Sequence, residues 1–200
     1  MESQRDSARS LKLQPRSVAP PVVDGSRIKR MGSQQDDAVL AKFLNEIDHL
    51  RVHRSRAGEA RKKPLLILLV LSRIHHGRLR ENRIDFRDVE RDLGLLILSH
   101  GGRDCVGGPK PEQPFSHLRT SGFWRVRLPQ GMQFAPQRTL PVSLLRRGEV
   151  FAELDDDLFN HLKENAHSRL QAARHILERW WSADEARQLA ESLGFVARER

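Results

Sequence analysis

The hydrophobic pattern of this chain predicts a mainly helical fold built around one central helix. The segment Leu65–Leu71 is apolar at every position, and a helix that is apolar on all sides is normally buried. Pro64 suits the first turn of this helix, and Gly77 suits its end. The run is far shorter than the ~20 residues that span a bilayer, so we expect a core helix.

Two further segments show one apolar face at helical spacing. A helix from Asp37 is predicted by the apolar positions Val39, Leu40, Phe43, Leu44, Ile47 and Leu50. A second helix is predicted after Asp85, a good N-cap residue, by Phe86, Val89, Leu93, Leu96 and Ile97. Residues 101–114 contain four glycines and three prolines, which predicts a loop.

The rest of the chain combines one strand with three short helices. Residues 123–128 alternate, with Trp124 and Val126 on one face and Arg125 and Arg127 on the other, which predicts a strand. Helical pieces are expected near 154–164, 167–180 and 183–193. The last of these is preceded by Ser182-Ala-Asp-Glu185, a capping-box pattern. The predicted fold class is mainly α with a small β element (α+β), in a compact helical domain.

The N-terminal segment differs in composition from the rest. Residues 1–34 are rich in Ser, Pro, Gly, Arg and Gln and have no sustained apolar period, which predicts a disordered arm. We therefore assign 35–197 to one folded domain and expect no separate catalytic domain in this chain.

Charge points to a polyanionic partner. The chain has 35 Lys and Arg against 26 Asp and Glu, a formal net charge of +9. Ten of these cations and only two acids fall between residues 51 and 83, so the excess is concentrated beside the apolar helix. Neutralising phosphates releases counterions, which favours nucleic acid as the partner.

The same composition argues against several other classes of protein. The single cysteine, Cys105, rules out an internal disulfide framework and argues against a cysteine-based zinc site, as in a cytoplasmic protein. The histidines are dispersed, and Asp155, Asp156 and Asp157 diverge on a helix, so we expect no metal, no cofactor and no catalytic residues. We also expect no membrane association.

A set of motifs, taken in order, resembles a known family. Lys63-Pro-Leu-Leu66 is followed by Ile84-Asp-Phe86, Pro114-Phe-Ser-His-Leu-Arg119 and Gly122-Phe-Trp124. Their order and spacing resemble the sulfur-binding domain of type IV, HNH-type modification-dependent restriction endonucleases, which recognise phosphorothioated DNA. The resemblance covers about residues 37–195. The chain has Ser182 where the family typically has a proline after an aromatic residue.

The resemblance implies a module that binds phosphorothioated double-stranded DNA through a basic surface and an apolar sulfur pocket. The DNA-binding and phosphate-binding candidates are Arg54, Arg56, Arg61, Lys62, Lys63, His117 and Arg119. The candidates for the sulfur pocket are Trp180, Trp181 and Ser182. The physics of a helix-end aromatic pair favours a core position for both tryptophans, and an exposed apolar wall is the alternative.

Two other functions remain open from the sequence. The chain can be a fragment or subunit of an HNH restriction endonuclease whose catalytic domain lies elsewhere, with a separate nuclease subunit as partner. It can also be a general basic module that binds DNA or protein without selectivity for sulfur.

Overall fold

The computed structural model describes residues 25–55, 58–102 and 108–196, which form eight α-helices and five short strands. In chain order the elements are α1 (Gly25–Asp48), β1 (Arg54–Ser55), β2 (Gly58–Glu59), α2 (Lys62–His75), β3 (Ile84–Asp85), α3 (Phe86–His100), α4 (Glu112–His117), β4 (Trp124–Arg127), α5 (Val142–Leu145), β5 (Phe151–Leu154), α6 (Asp156–Glu164), α7 (Ala166–Trp180) and α8 (Ala183–Leu193). A 3₁₀ turn, Leu118–Thr120, follows α4. The predicted class, mainly α with a small β element, is confirmed.

Helix α2 is the centre of the core, as its apolar run predicts. Every residue from Pro64 to Leu71 is buried, and α2 contacts α3, α4, α6, α7 and α8. Because neighbours cover α2 on all sides, its polar residues can reach solvent only at its ends. The basic residues before Pro64 therefore lie at one defined place on the surface.

The sheet is small and antiparallel. Strand β5 lies between β3 and β4, with Val126 opposite Ala152 and Trp124 opposite Leu154. Trp124, Ala152 and Leu154 are buried, while the alternate positions face outward. The sequence predicted β4 correctly. It missed β3 and β5, which are too short to show a clear alternation of their own.

Helix α8 follows the predicted cap chemistry, whereas α3 follows it only in part. Asp85 is the N-cap residue of α3 in an extended conformation, but its side chain makes no capping hydrogen bond and pairs with Arg83 instead. Ser182 and Glu185 form a complete capping box at the start of α8. Gly194 ends α8 with φ 73°, a left-handed conformation that favours glycine.

Two predictions about the loops and the arm need correction. Helix α1 begins at Gly25, so residues 25–34 are helical and not part of a disordered arm; residues 1–24 lie outside the described residues. Helix α4 begins at Glu112, inside the segment predicted as a loop. None of the described helices is long and apolar enough to cross a membrane.

Candidate nucleic-acid interface

Three consecutive cations stand at the beginning of the central helix. Arg61 is the N-cap of α2, and Lys62 and Lys63 are its first two residues; we call these three residues the basic turn. The first turn of α2 contains no acidic residue. The positive end of the helix dipole therefore adds to the three cationic side chains, and both favour an anion at this place.

Two residues of the basic turn, Lys62 and Lys63, line a shallow concavity of about 110 Å³. Its lining is part cationic and part apolar, and consists of Val52, His53, Ala60, Lys62, Lys63, Gln113, Pro114 and His117. Three chain segments meet here: the stretch around β1 and β2, the start of α2, and α4. The concavity therefore brings together Lys62, Lys63 and His117, three of the residues predicted from the sequence.

Hydrogen bonds fix the polar side chains around this concavity. Lys63 Nζ donates to the Arg51 carbonyl oxygen at 2.7 Å, and Lys62 Nζ donates to Gln113 Oε1 at 3.3 Å. His117 Nε2 and Thr139 Oγ1 are hydrogen-bonded at 2.9 Å. Neither lysine has a carboxylate partner among the described residues, so both charges are left uncompensated.

The pKa directions of Lys63 and His117 reflect burial first and nearby positive charge second. Burial lowers the pKa of Lys63, and the nearby Arg51 cation lowers it further. Burial also lowers the pKa of His117, with smaller contributions from Lys63 and Arg119. His117 is therefore neutral at pH 7, since a histidine pKa below the usual ~6.5 leaves little imidazolium there.

Arg119 is hydrogen-bonded to the backbone of a neighbouring loop. Its Nε donates to the Pro136 carbonyl oxygen at 3.1 Å, and its terminal Nη2 donates to the carbonyl oxygens of Ala135 and Arg138. These bonds fix the loop between β4 and α5 to the 3₁₀ turn. In this structure Arg119 is engaged with backbone carbonyls, and it does not line the concavity.

Arg61 faces away from the concavity, toward the start of α8. Its guanidinium lies 5.5 Å from the centre of the Trp181 ring, and its Nη1 forms an ion pair of 3.2 Å with Glu185 Oε1. The apolar ring and the cation are thus adjacent here as well. Arg56 lies outside the described residues, as does the side chain of Arg54.

The two tryptophans belong to the core, as the physics of a helix-end pair favours. Trp180 and Trp181 are each only 6% exposed. Trp180 Nε1 donates to Glu59 Oε2, and Trp181 Nε1 donates to the His100 carbonyl oxygen, both at 3.1 Å. Ser182 is exposed. The Trp180–Ser182 turn lies beside Arg61 and does not line the concavity that contains His117.

Several residues at the concavity and near the Trp180–Ser182 turn were not predicted from the sequence. Val52 and Gln113 line the concavity without belonging to any motif, and no signal in the sequence marks them. Pro114 was within a motif but had no role assigned to it. Glu185 was identified only as part of a capping box, and its ion pair with Arg61 was not predicted.

A second arginine-rich surface lies on the outer face of the sheet. Its cations, which we call the sheet arginines, are Arg83, Arg125 and Arg127. Each of them has a carboxylate partner. Arg83 pairs with Asp85 at 3.0 Å, Arg125 with Asp155 at 2.7 Å and Arg127 with Glu153 at 2.6 Å. The acidic run at 155–157 thus helps to neutralise the sheet and begin α6. Within the described parts of the chain, no group of three or more His, Cys, Asp or Glu side chains is placed to hold a metal ion.

Comparison with known proteins decides which family this architecture represents. A family model described as the ScoMcrA-like DNA sulfur-binding domain matches residues 40–198, which is most of the chain. The chain belongs to this family. The basic turn, the concavity and the Trp180–Ser182 turn all lie inside the matched region of the sulfur-binding domain. No curated protein matches the chain significantly.

Solved structures share the fold of this sulfur-binding domain. The chain is similar to the sulfur binding domain of SprMcrA complexed with phosphorothioated DNA, with a TM-score of 0.64 and 20% identity over 78% of this chain and 93% of that one. It is also similar to the corresponding domain of ScoMcrA complexed with phosphorothioated DNA, with a TM-score of 0.59 and 18% identity over 74% and 97%.

A longer relative shows how such a domain can form part of a larger protein. The type IV phosphorothioation-dependent restriction endonuclease ScoMcrA is matched with a TM-score of 0.59 and 19% identity. The match covers 76% of this chain but only 33% of that protein. The shared part is thus a DNA-binding domain, and most of the endonuclease has no counterpart in the match.

Proposed function

We propose that this chain recognises phosphorothioate-modified double-stranded DNA as the reading module of a modification-dependent restriction system. The observation that carries the proposal is the concavity at the start of α2. There two uncompensated lysines stand beside the apolar side chains of Val52 and Pro114, in a domain whose family is defined by binding DNA sulfur.

The chemistry of the modification explains why this combination is suitable. In a phosphorothioate, sulfur replaces one non-bridging oxygen of a backbone phosphate. Sulfur is larger, more polarisable and a weaker hydrogen-bond acceptor than oxygen, so an apolar wall suits it better than another strong donor. The phosphate remains anionic, and the lysines can hold it and its neighbours.

The geometry supports a role for individual residues. We propose that Lys62 and Lys63 bind the DNA backbone and that His117, neutral at pH 7, contacts the modified phosphate from the apolar side. The bound state of the SprMcrA and ScoMcrA domains supports this general partner. Arg54 and Arg56 remain proposed backbone contacts on the grounds of charge alone. Arg119 is proposed to act indirectly, by holding the loop that carries Thr139.

A second position for the sulfur contact is favoured by one observation. Arg61 stacks on the Trp181 ring, so a cation and an aromatic surface also meet at the Trp180–Ser182 turn. Because Trp180 and Trp181 are almost fully buried, only the edge of Trp181 and the exposed Ser182 are candidates for contact there. The two positions lie at different sides of the basic turn and can be separated by mutation.

The decisive experiment compares three duplexes that are identical except at one phosphate: unmodified, Rp phosphorothioate and Sp phosphorothioate. The two diastereomers direct sulfur differently from the backbone, so a built pocket should favour one of them. We expect at least a tenfold preference for that diastereomer, equivalent to about 1.4 kcal/mol. Equal affinity for all three duplexes contradicts sulfur reading and favours a general DNA-binding module.

A matched pair of variants then locates the contact. His117→Ala and Thr139→Val both remove the hydrogen bond between these side chains, but only the first removes the imidazole from the concavity. A loss of diastereomer preference in His117→Ala alone supports the concavity. A preference that is intact in both variants but lost in Trp181→Phe or Ser182→Ala supports the Trp180–Ser182 turn instead.

We further propose that the module does not cleave DNA and that cleavage is performed by another domain or subunit. Incubation of the chain with modified plasmid in Mg²⁺, Mn²⁺ and Co²⁺ should leave the plasmid intact. Protein-dependent cleavage that a single His or Asp substitution abolishes would overturn this assignment. A DNA target implies that the module acts in the cytoplasm.

A further inference from the structure

Arg61, although part of the basic turn, is the one member of it with an internal anion. Its guanidinium is paired with Glu185 at 3.2 Å, while Lys62 and Lys63 bind only neutral oxygens. The Arg61 side chain is 24% exposed, so it is within reach of a ligand at the surface. Its positive charge is already neutralised by the carboxylate of Glu185.

Glu185 is held in this position by more than Arg61. Its Oε2 accepts hydrogen bonds from the backbone nitrogen and the hydroxyl of Ser182, both at 3.1 Å, and its Oε1 accepts from Arg61. The Ser182 backbone bond and the Arg61 bond together lower the pKa of this carboxyl. The carboxylate is therefore fixed by the capping box of α8 and cannot swing away without breaking it.

We propose that Glu185 is an internal competitor for the DNA backbone, which withholds Arg61 from phosphates while Lys62 and Lys63 remain available. A phosphate that approaches Arg61 meets a fixed negative charge bound to the same guanidinium. The donor set of Arg61 and Ser182 resembles that of an anion site, and Glu185 fills it from within the chain. This inference rests on the proposed DNA binding and assigns a role in setting the overall affinity for DNA to a residue outside the concavity.

The competitor has a clear consequence for the overall affinity for DNA. A contact between Arg61 and a phosphate would strengthen binding to any DNA, since it responds to backbone charge and not to sulfur. Suppressing it leaves more of the binding energy in the concavity. Glu185 should therefore lower the affinity for modified DNA and for unmodified DNA by the same factor. Non-specific DNA is then bound less tightly than it would be without Glu185.

The neighbouring acid provides a matched control. Asp184 is exposed and also lies in the first turn of α8, and within the described part of the chain it has no hydrogen bond or ion pair. Glu185→Gln and Asp184→Asn change the net charge equally. Glutamine can keep the bond to the Ser182 backbone at this position of a capping box, so the fold should survive, which a denaturation curve verifies.

Affinity for the unmodified and modified duplexes is measured across a salt series for wild type, Glu185→Gln, Asp184→Asn, Arg61→Ala and Arg61→Ala/Glu185→Gln. Glu185→Gln should bind both duplexes about fivefold more tightly near 0.15 M salt, with a log–log salt slope steeper by about 0.9, as for one added phosphate contact. Asp184→Asn should gain less and keep the wild-type slope. In the Arg61→Ala background the gain should disappear.

Three results would overturn the inference while leaving DNA binding intact. They are an equal gain in Glu185→Gln and Asp184→Asn, a gain that persists without Arg61, and weaker binding by Glu185→Gln, which would mean that Glu185 positions Arg61 for DNA. If none of the proteins binds either duplex, the proposed function fails and the inference fails with it.

Discussion

The basic turn and the sheet arginines contain the same number of cations but present very different surfaces. Each of the sheet arginines has its own carboxylate within 3.0 Å, whereas the three residues of the basic turn share only Glu185. The helix dipole adds positive potential at the basic turn. Basic residues predict a DNA surface only where their counter-charges are absent, which a count along the sequence does not reveal.

The largest expected effect concerns the helix that presents the basic turn. Leu68 is fully buried. The substitution Leu68→Ala should lower the free energy of unfolding by about 2–5 kcal/mol, the usual range for a core leucine. This loss should appear in chemical denaturation together with weaker DNA binding. An unchanged denaturation midpoint would show that α2 does not anchor the basic turn to the core.

Next in size is the direct test of the two surfaces. Lys62→Ala/Lys63→Ala and Arg125→Ala/Arg127→Ala each remove two positive charges. The first pair should weaken DNA binding roughly 30-fold near 0.15 M salt and reduce the salt slope by about 1.8, as for two lost phosphate contacts. The second pair should change affinity only a few-fold. Similar losses from both pairs would mean that total charge matters more than its pairing.

Arg119 tests whether an arginine that is already hydrogen-bonded within the protein also binds phosphate. Arg119→Ala removes a charged donor from three backbone carbonyls, so it should lower stability by about 1–2 kcal/mol, near the lower end for hydrogen bonds to charged groups. Its salt slope for DNA should equal that of wild type. A shallower slope with normal stability would return Arg119 to the phosphate-binding group predicted from the sequence.

The smallest effect is expected for one ion pair on the sheet, between Arg127 and Glu153. Arg127→Ala should change the unfolding free energy by less than about 1 kcal/mol, because exposed ion pairs contribute little. Arg127 is 54% exposed. A double-mutant cycle with Glu153→Gln, followed by thermal denaturation, measures the pair alone. A coupling well above this limit would assign the sheet arginines a structural role as well as a neutralising one.

Features that depend on burial and local chemistry are the ones that the sequence predicts best. The apolar run at Leu65–Leu71 identified the central helix, and the Ser182–Glu185 spacing identified the cap of α8. Both signals are local, since period and cap geometry are read within one or two turns of chain. The ordered motifs also indicated the family, which the match over residues 40–198 confirms.

The arrangement of the site was harder to predict because it depends on distant partners. The motif containing His117 and Arg119 suggested that both residues bind DNA phosphates. In the structure His117 lines the concavity, whereas Arg119 turns to the carbonyls of a loop more than a dozen residues later. Likewise, a tryptophan pair beside a basic segment is compatible with a pocket wall, and only packing shows that both rings are buried.

The walls of the concavity come from segments on either side of α2, which meet only after the core has formed. An unfolded chain therefore offers DNA its scattered charges but not this surface. By mass action, a ligand that binds only the folded form adds RT ln(1 + [L]/Kd) to the unfolding free energy, about 2.7 kcal/mol at a concentration of 100 Kd. The melting temperature should thus rise with the concentration of a matched duplex, and the size of that rise ranks candidate targets without any label on the DNA.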